Sequence, residues 1–297
     1  MSDAKPNLIA VDWGTTRLRA TLVDTDGHPI ERRDADAGVQ SVPAGGFPDA
    51  LEAVAGEWLS RWPDLPVVMA GMVGSRNGWR EVPYVTCPCG PEELVAGLLR
   101  VEGLHDVRIV PGADVRAEDG CYDVMRGEEV QALGSGCADG LVCLPGTHSK
   151  WVEMRGGRIV RFATFITGEL YAAMCSSFVG RLAEEPPDPE AGVPDGSATA
   201  QIPGGLSRLL FQARTKVLGG DLPGHAVRPF LSSLIIGAEI AGAAELFGAV
   251  QRVCLVAAAP QRDIYLAALG ARGMEIDVVD PAEASLRGLI RVAGAVR

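Results

Sequence analysis

Apolar positions first gather in a short run, Leu8-Ile9-Ala10-Val11, long enough for a buried strand and too short for a helix. A small polar turn follows, Asp12-Trp13-Gly14-Thr15-Thr16-Arg17. Alternation then resumes, with Leu18, Ala20 and Leu22 set against Arg19, Thr21 and Val23 as far as the turn at Asp26-Gly27. Pro29-Ile30-Glu31-Arg32 offers a third short strand, so the opening reads as an antiparallel meander. Helical spacing from about Phe47 to Trp62 and the apolar run Pro66-Val67-Val68-Met69-Ala70 extend it into a mixed sheet with helices packed against it.

The arrangement recurs near the middle of the chain. Leu141-Val142-Cys143-Leu144 is an apolar strand and Pro145-Gly146-Thr147-His148-Ser149-Lys150 a small polar turn. Trp151-Val152-Glu153-Met154 and Arg158-Ile159-Val160-Arg161-Phe162 are strands parted by Gly156-Gly157. Both turns hold Gly-Thr followed by a cation. The pattern predicts two α/β lobes whose Gly-Thr turns face one another across a cleft.

Composition narrows the classes of function. A chain of 297 residues that is 47% hydrophobic buries a large core and has room for two lobes. Its net charge of −11 disfavours nucleic acid as a partner. No apolar stretch approaches the roughly 20 uncharged residues of a membrane span. The residues Met1-Ser2-Asp3-Ala4-Lys5-Pro6 have no apolar signal core, so a cytoplasmic protein without a membrane partner is expected. Seven cysteines, an odd number scattered from Cys87 to Cys254, fit reduced thiols. Cys87-Pro88-Cys89 lacks the second ligand pair of a zinc site, and ordinary packing is expected there.

The two turns suit phosphate. Glycine lets backbone approach an anion, successive N–H groups form a positive concavity, and threonine hydroxyls add donors. Asp12 beside bound phosphates would hold magnesium, which prefers oxygen ligands and keeps much of its water. A plain hairpin turn is the competing explanation of Asp12 to Thr16. Met125-Arg126-Gly127-Glu128-Glu129-Val130-Gln131 reads as a helix start at Gly127, where acidic residues are favoured by the helix dipole whether or not they do chemistry. The glycines Gly71, Gly74 and Gly78 lack the spacing of a dinucleotide loop. The stretch from Glu184 to Gly205, rich in proline and acid, reads as an exposed loop.

In their order, the first turn, the Gly-Glu helix start and the second turn resemble the sugar kinase, hsp70 and actin superfamily. Five longer segments resemble the 2-dehydro-3-deoxygalactonokinase family within it: Val68 to Ser75, Met125 to Glu129, Leu144 to Trp151, Thr167-Gly168-Glu169-Leu170, and Phe230 to Glu239. The resemblance implies two actin-like (ribonuclease H-like) lobes, mixed sheets flanked by helices and an active site in the interlobe cleft. Residues 1–125 would form the N-terminal lobe, mainly substrate-binding, with the first phosphate turn. Residues 126–297 would carry the second turn and the adenine site, the last helix packing back on the N-terminal lobe.

It further implies ATP and Mg2+ as cofactors and a small sugar acid, 2-dehydro-3-deoxy-D-galactonate, as the molecule phosphorylated at its 6-hydroxyl; a homodimer is compatible with this. Asp12 would position magnesium, and Glu128 would orient the attacking hydroxyl as the catalytic acid-base group, with Glu129 its competitor. Gly14, Thr15, Thr16, Arg17, Gly146 and Thr147 would bind the ATP phosphates, and Ala258 and Ala259 would lie by adenine, where related kinases often have glycine. Gly71, Met72, Ser75, Arg126, Glu129, His148, Lys150, Thr167 and Glu169 would border the substrate, with a helix N-cap the alternative for Thr167. Its carboxylate needs a cation, for which Arg17, Arg76, Arg126 and Lys150 are the candidates. The rival readings are a kinase of another sugar or sugar acid on the same fold, and an ATP-dependent switch protein without enzymatic activity. An iron–sulfur activator of this superfamily would need more ligands than Cys87 and Cys89.

Overall fold

The structure, a computed structural model, describes residues 5–104, 106–117, 120–183, 196–248 and 251–296. Its six-stranded sheet runs Pro29–Ala35, Leu18–Asp24, Pro6–Trp13, Val67–Ala70, Val107–Ile109, Leu99–Arg100. The first three strands are the antiparallel meander that the alternation predicts: Trp13 lies opposite Leu18, and Leu18 opposite Ala35. Val67–Ala70 then runs parallel to Pro6–Trp13, setting Asp12 opposite Ala70. A strand in parallel pairing is usually covered on both faces and so reads as a continuous apolar run. Val67 to Ala70 are accordingly all buried.

A second sheet has the order Arg158–Phe165, Ser149–Arg155, Gly140–Leu144, Arg252–Val256, Glu275–Val279. A third joins Val85–Thr86, Ala113–Arg116 and Tyr122–Met125. Ser149 and Lys150, expected in the second turn, belong instead to the strand that follows it and are buried. Their side chains find hydrogen-bond partners inside the protein, which shortens the turn.

The chain divides into two compact units, Met1–Val142 with Val152–Phe162 and Val279–Arg297, and Cys143–Trp151 with Ala163–Val278. In the first unit, helix Phe47–Arg61 sends Phe47, Leu51, Val54 and Trp58 into one core with Ile9, Val11, Trp13 and Met69. Helix Pro281–Gly294 packs against Pro6–Trp13 and starts at an N-cap, Asp280, whose carboxylate accepts from the amides of Ala282 and Glu283 at 2.9 and 3.1 Å.

The second unit is built on helix Val227–Phe247, whose Phe230, Leu231 and Leu234 form a core with Val179, Leu209 and Leu222. The uncharged run in this helix, Pro229 to Ala238, is far shorter than a membrane span. Gly224–Phe247 is 24 residues long and its most apolar 18-residue window has a mean hydropathy of 1.6, with half of that window buried inside the protein. Arg228, Glu239 and Glu245 interrupt its sequence and conceal its length. Of the loop expected at 184–205, residues 184–195 lie outside the described residues. Gly196–Thr199 is a helical turn set against the long helix, so close that a Cβ on Gly196 would lie 2.4 Å from the Phe230 carbonyl.

Candidate functional site

The first turn is held by backbone. The Gly14 amide donates to the Arg17 carbonyl at 2.9 Å, and the amides of Val39 and Gln40 donate to the carbonyls of Gly14 and Thr15 at 3.0 and 3.1 Å. Gly38 makes that approach feasible, because a Cβ there would sit 2.2 Å from the Thr16 carbonyl carbon. Thr16 and Arg17 are exposed; Arg17 pairs with Asp36 at 3.7 Å.

Asp12 ends the strand just before this turn. Its Oδ2 accepts from Arg19 Nη1 and Ser285 Oγ, both at 3.3 Å, and Ser285 accepts from Gln131 Nε2 at 3.1 Å. Gln131 rides on helix Glu128–Gly134, which meets helix Pro281–Gly294 backbone to backbone. A Cβ on Gly134 or Gly288 would come within 1.9 Å of the Ala284 or Val130 carbonyl oxygen, respectively. Burial raises the Asp12 carboxyl above its ordinary range; Arg19 opposes this, and the charge of Glu128 adds to it.

Two glycines close the arrangement. Gly71 (φ 98°) would place a Cβ 2.8 Å from the Trp13 carbonyl, and Gly127 (φ 104°) would place one 3.2 Å from the Gly71 Cα. Asp12, Gly71 and the head of the Glu128 helix therefore meet. Glu128 is partly exposed, with Oε2 accepting from the Arg126 amide at 3.0 Å. Glu129 is fully buried, and its Oε2 accepts from the Gly127 amide at 2.7 Å. Burial first, and the Glu128 charge second, push the Glu129 carboxyl up to about 8.

Arg126 stacks over the Tyr84 ring at 4.4 Å and donates through Nη2 to the Val82 carbonyl at 2.7 Å. Its Nε and Nη1, like Ser75 Oγ and Glu129 Oε1, are buried with no hydrogen-bond partner among the described residues. Nη1 lies 2.9 Å from where a Cβ on Gly74 would be, so Arg126 sits beneath the short helical turn Met72–Gly74. Arg76 is exposed and pairs with Glu81 at 3.6 Å. The thiols of Cys87 and Cys89 touch at 3.7 Å. Among the described residues the one trio that brings metal-type ligand atoms together is Asp24, Asp26 and His28, on a largely exposed hairpin.

In the second unit, Gly146, Thr147 and His148 are exposed at the second turn. The Glu169 amide donates to the Thr147 carbonyl at 3.0 Å, and His148 Nε2 meets Glu169 Oε2 at 2.6 Å. A Cβ on Gly168 would be 2.5 Å from the Gly146 carbonyl oxygen. Lys150 turns back, its Nζ donating to the His148 carbonyl at 3.0 Å. Thr167 opens helix Thr167–Ser176 without capping it, its hydroxyl donating instead to Glu239. Glu239 also accepts from Trp151 Nε1 at 2.8 Å and from the Tyr265 hydroxyl at 2.7 Å. Ala258 and Ala259 are exposed between strand Arg252–Val256 and helix Gln261–Gly270, where the Arg262 amide donates to the Ala258 carbonyl at 2.9 Å.

The structure thus gathers Asp12, Gly71, Arg126, Glu128 and Glu129 in one unit, and Gly146, Thr147, His148, Lys150, Thr167 and Glu169 in the other. Sequence reasoning missed Arg19, Gln131 and Ser285 around Asp12, and Ser149, Trp151, Glu239 and Tyr265 behind the second turn. Only Glu239 left a signal, as an acid set among Ile235, Ile236 and Ile240.

Known proteins share both sequence and fold with this chain. DgoK1 of Rhizobium meliloti (strain 1021) is 35% identical, covering 97% of this chain and 96% of its own length. The 2-dehydro-3-deoxygalactonokinase of Escherichia coli (strain K12) is 35% identical, covering 97% and 98%. A crystal structure of a candidate 2-dehydro-3-deoxygalactonokinase from Sinorhizobium meliloti superposes with a TM-score of 0.89 at 33% identity, covering 97% of this chain and 99% of its own. The α/β architecture, with mixed sheets flanked by helices, is that of the actin-like sugar kinases. The model of the 2-keto-3-deoxy-galactonokinase family matches residues 12–292, and the chain belongs to that family.

Proposed function

We propose that the protein transfers the γ-phosphoryl group of ATP to the 6-hydroxyl of 2-dehydro-3-deoxy-D-galactonate, a step in galactonate breakdown that takes place in the cytoplasm. The observation that best supports a kinase site is the meeting of Asp12, Gly71 and Gly127, with the Glu128 charge felt at Asp12. Phosphoryl transfer asks a protein chiefly to align its reactants and neutralise charge. Backbone amides and hydroxyls at Gly14, Thr15 and Thr16, and at Gly146 and Thr147, hold phosphate oxygens in this reading. Ala258 and Ala259 border the adenine.

Asp12 is the residue that would hold magnesium, and one carboxylate with Arg19 and Ser285 steadying its Oδ2 fits an ion that keeps most of its water. When bound, magnesium offsets the negative charge of the phosphates. Glu128 takes the proton of the attacking hydroxyl. Access decides this before acidity does: Glu128 is partly exposed, whereas Glu129 is 0% exposed and turned to the Gly127 amide. Glu129 keeps its proton at neutral pH and shapes the helix start.

Four cations were candidates for the substrate carboxylate, and their surroundings separate them. Arg17 and Arg76 are paired at the surface, and Lys150 is folded onto the His148 carbonyl. Arg126 retains buried N–H groups with no hydrogen-bond partner among the described residues, next to Ser75. It is the residue we assign to the sugar acid, with Gly71 and Met72 bordering the same side. His148, Thr167 and Glu169 hold the turn more directly than they would hold substrate.

Coupled measurement of ADP release tests the reading. The keto acid should be turned over in preference to neutral hexoses, and Glu128→Gln should lower kcat by about 10²- to 10⁴-fold with both KM values nearly kept. Faster turnover of a neutral hexose, or a Glu128→Gln enzyme with full kcat, overturns it.

A further inference from the structure

Glu239 has no part in the chemistry above, yet it is 3% exposed and accepts hydrogen bonds from Trp151, Thr167 and Tyr265. We infer that Glu239 is a positioning residue for the second phosphate turn, fixing Gly146 to His148 through Ser149, Trp151, Thr167 and Tyr265 without touching substrate. The inference rests on the reading of that turn as a phosphate site.

Three routes lead from this carboxylate to the turn. On the strand, Oε1 accepts from the Trp151 indole at 2.8 Å, two residues beyond Ser149. Through the Thr167 helix, Oε2 accepts the Thr167 hydroxyl. The next two residues of that helix press on the turn, Gly168 against the Gly146 carbonyl and the Glu169 amide on the Thr147 carbonyl at 3.0 Å. Through the Gln261–Gly270 helix, Oε2 accepts the Tyr265 hydroxyl at 2.7 Å. That hydroxyl lies 3.2 Å from Ser149 Oγ, which takes the Gly146 amide at 3.4 Å. A strand and two helices are thereby set relative to one acid, and the turn takes its place from all three.

The demand on residue 239 is specific. An indole and the hydroxyls of Thr167 and Tyr265, with Ser149 beside them, bear on a buried side chain, and a carboxylate accepts with both oxygens. An aliphatic side chain would leave them buried without an acceptor. Glutamine keeps one acceptor oxygen, and its amide can donate to a hydroxyl that turns round. Apolar filling alone would make Leu a better replacement than Gln; positioning makes Gln the better one.

The full chain serves for the test, as Glu239→Gln, Glu239→Leu and Tyr265→Phe. Glu239→Leu should raise KM for ATP, and Kd for ADP by calorimetry, by about 10-fold or more. KM for the keto acid should stay within about 2-fold of its starting value. Amide exchange at residues 146–149, followed by mass spectrometry, should quicken in step. Glu239→Gln should recover most of the loss, and Tyr265→Phe, which takes the Tyr265 hydroxyl from both Glu239 and Ser149 and keeps the Trp151 and Thr167 contacts, should fall between. Should Glu239→Leu fail to fold, Tyr265→Phe and Glu239→Gln decide alone. Unchanged ADP affinity and unchanged exchange in Tyr265→Phe, or Leu outperforming Gln, overturns the inference. Weaker ADP binding in a protein that ignores the keto acid would uphold the positioning role while sinking the substrate assignment.

Discussion

The two Gly-Thr turns are alike in sequence and unlike in how they are held. The turn at Gly14 is closed by main-chain hydrogen bonds, its own and those from Val39 and Gln40, with Gly38 pressed against it. The turn at Gly146 has main-chain support from Glu169, but its deeper anchorage is a set of side chains collected by one buried acid. A backbone clamp fixes a turn with little regard to side-chain identity beyond glycine. A side-chain hub makes the turn depend on residues far along the chain.

Gly38→Ala offers the sharpest way to break this contrast. A methyl group 2.2 Å from the Thr16 carbonyl carbon must displace the first turn, and kcat/KM for ATP should fall by about 10²-fold. An alanine variant of full activity would deny that backbone approach sets that turn. Gly168→Ala should cost less, about 10-fold, although its methyl would lie 2.5 Å from the Gly146 carbonyl oxygen. The side-chain anchors on Ser149 and Lys150 remain in that variant; a loss as large as that of Gly38→Ala would erase the distinction.

The smallest effect compares the buried acids. Glu239 is met by the side-chain donors of Trp151, Thr167 and Tyr265, whereas Glu129 accepts the Gly127 amide and has an Oε1 without a partner among the described residues. Its charged neighbours are Glu128, which pushes its carboxyl up, and Arg126, which draws it down. The ordinary value near 4.5 applies to the unfolded chain and about 8 to the folded one. Below that window both states hold the proton. Within it only the folded state does, so the contribution to stability is lost as pH rises through the folded value. Glu129→Gln has no such proton to lose. Its melting temperature should gain on that of the parent as pH rises from 5 to 8 by a few degrees, and parallel pH profiles of the two would remove Glu129 as the cause.

The same contrast explains what could be read beforehand. The meander, helix Phe47–Arg61 and the helix start at Gly127 follow from local alternation, helical spacing and a glycine before acids, all of which act over a few residues. The first turn was legible for that reason. Ser285 contacts Asp12 across 273 positions, and Trp151 contacts Glu239 across 88, so no window of sequence shows either pair. Ser149 and Lys150 resemble turn residues by type, and only their buried partners reveal them as strand. In helix Val227–Phe247 the apolar run is broken by Arg228, Glu239 and Glu245, and Glu239 accepts from Trp151, Thr167 and Tyr265, far away in sequence.

One optical consequence follows from the indole of Trp151. Four of the five tryptophans, at positions 13, 58, 62 and 79, lie in the first unit, and Trp151 alone belongs to the second. Replacing those four by phenylalanine leaves a single emitter whose N–H rests on a carboxylate. Its fluorescence would then serve as a built-in gauge, shifting in colour whenever that contact loosens.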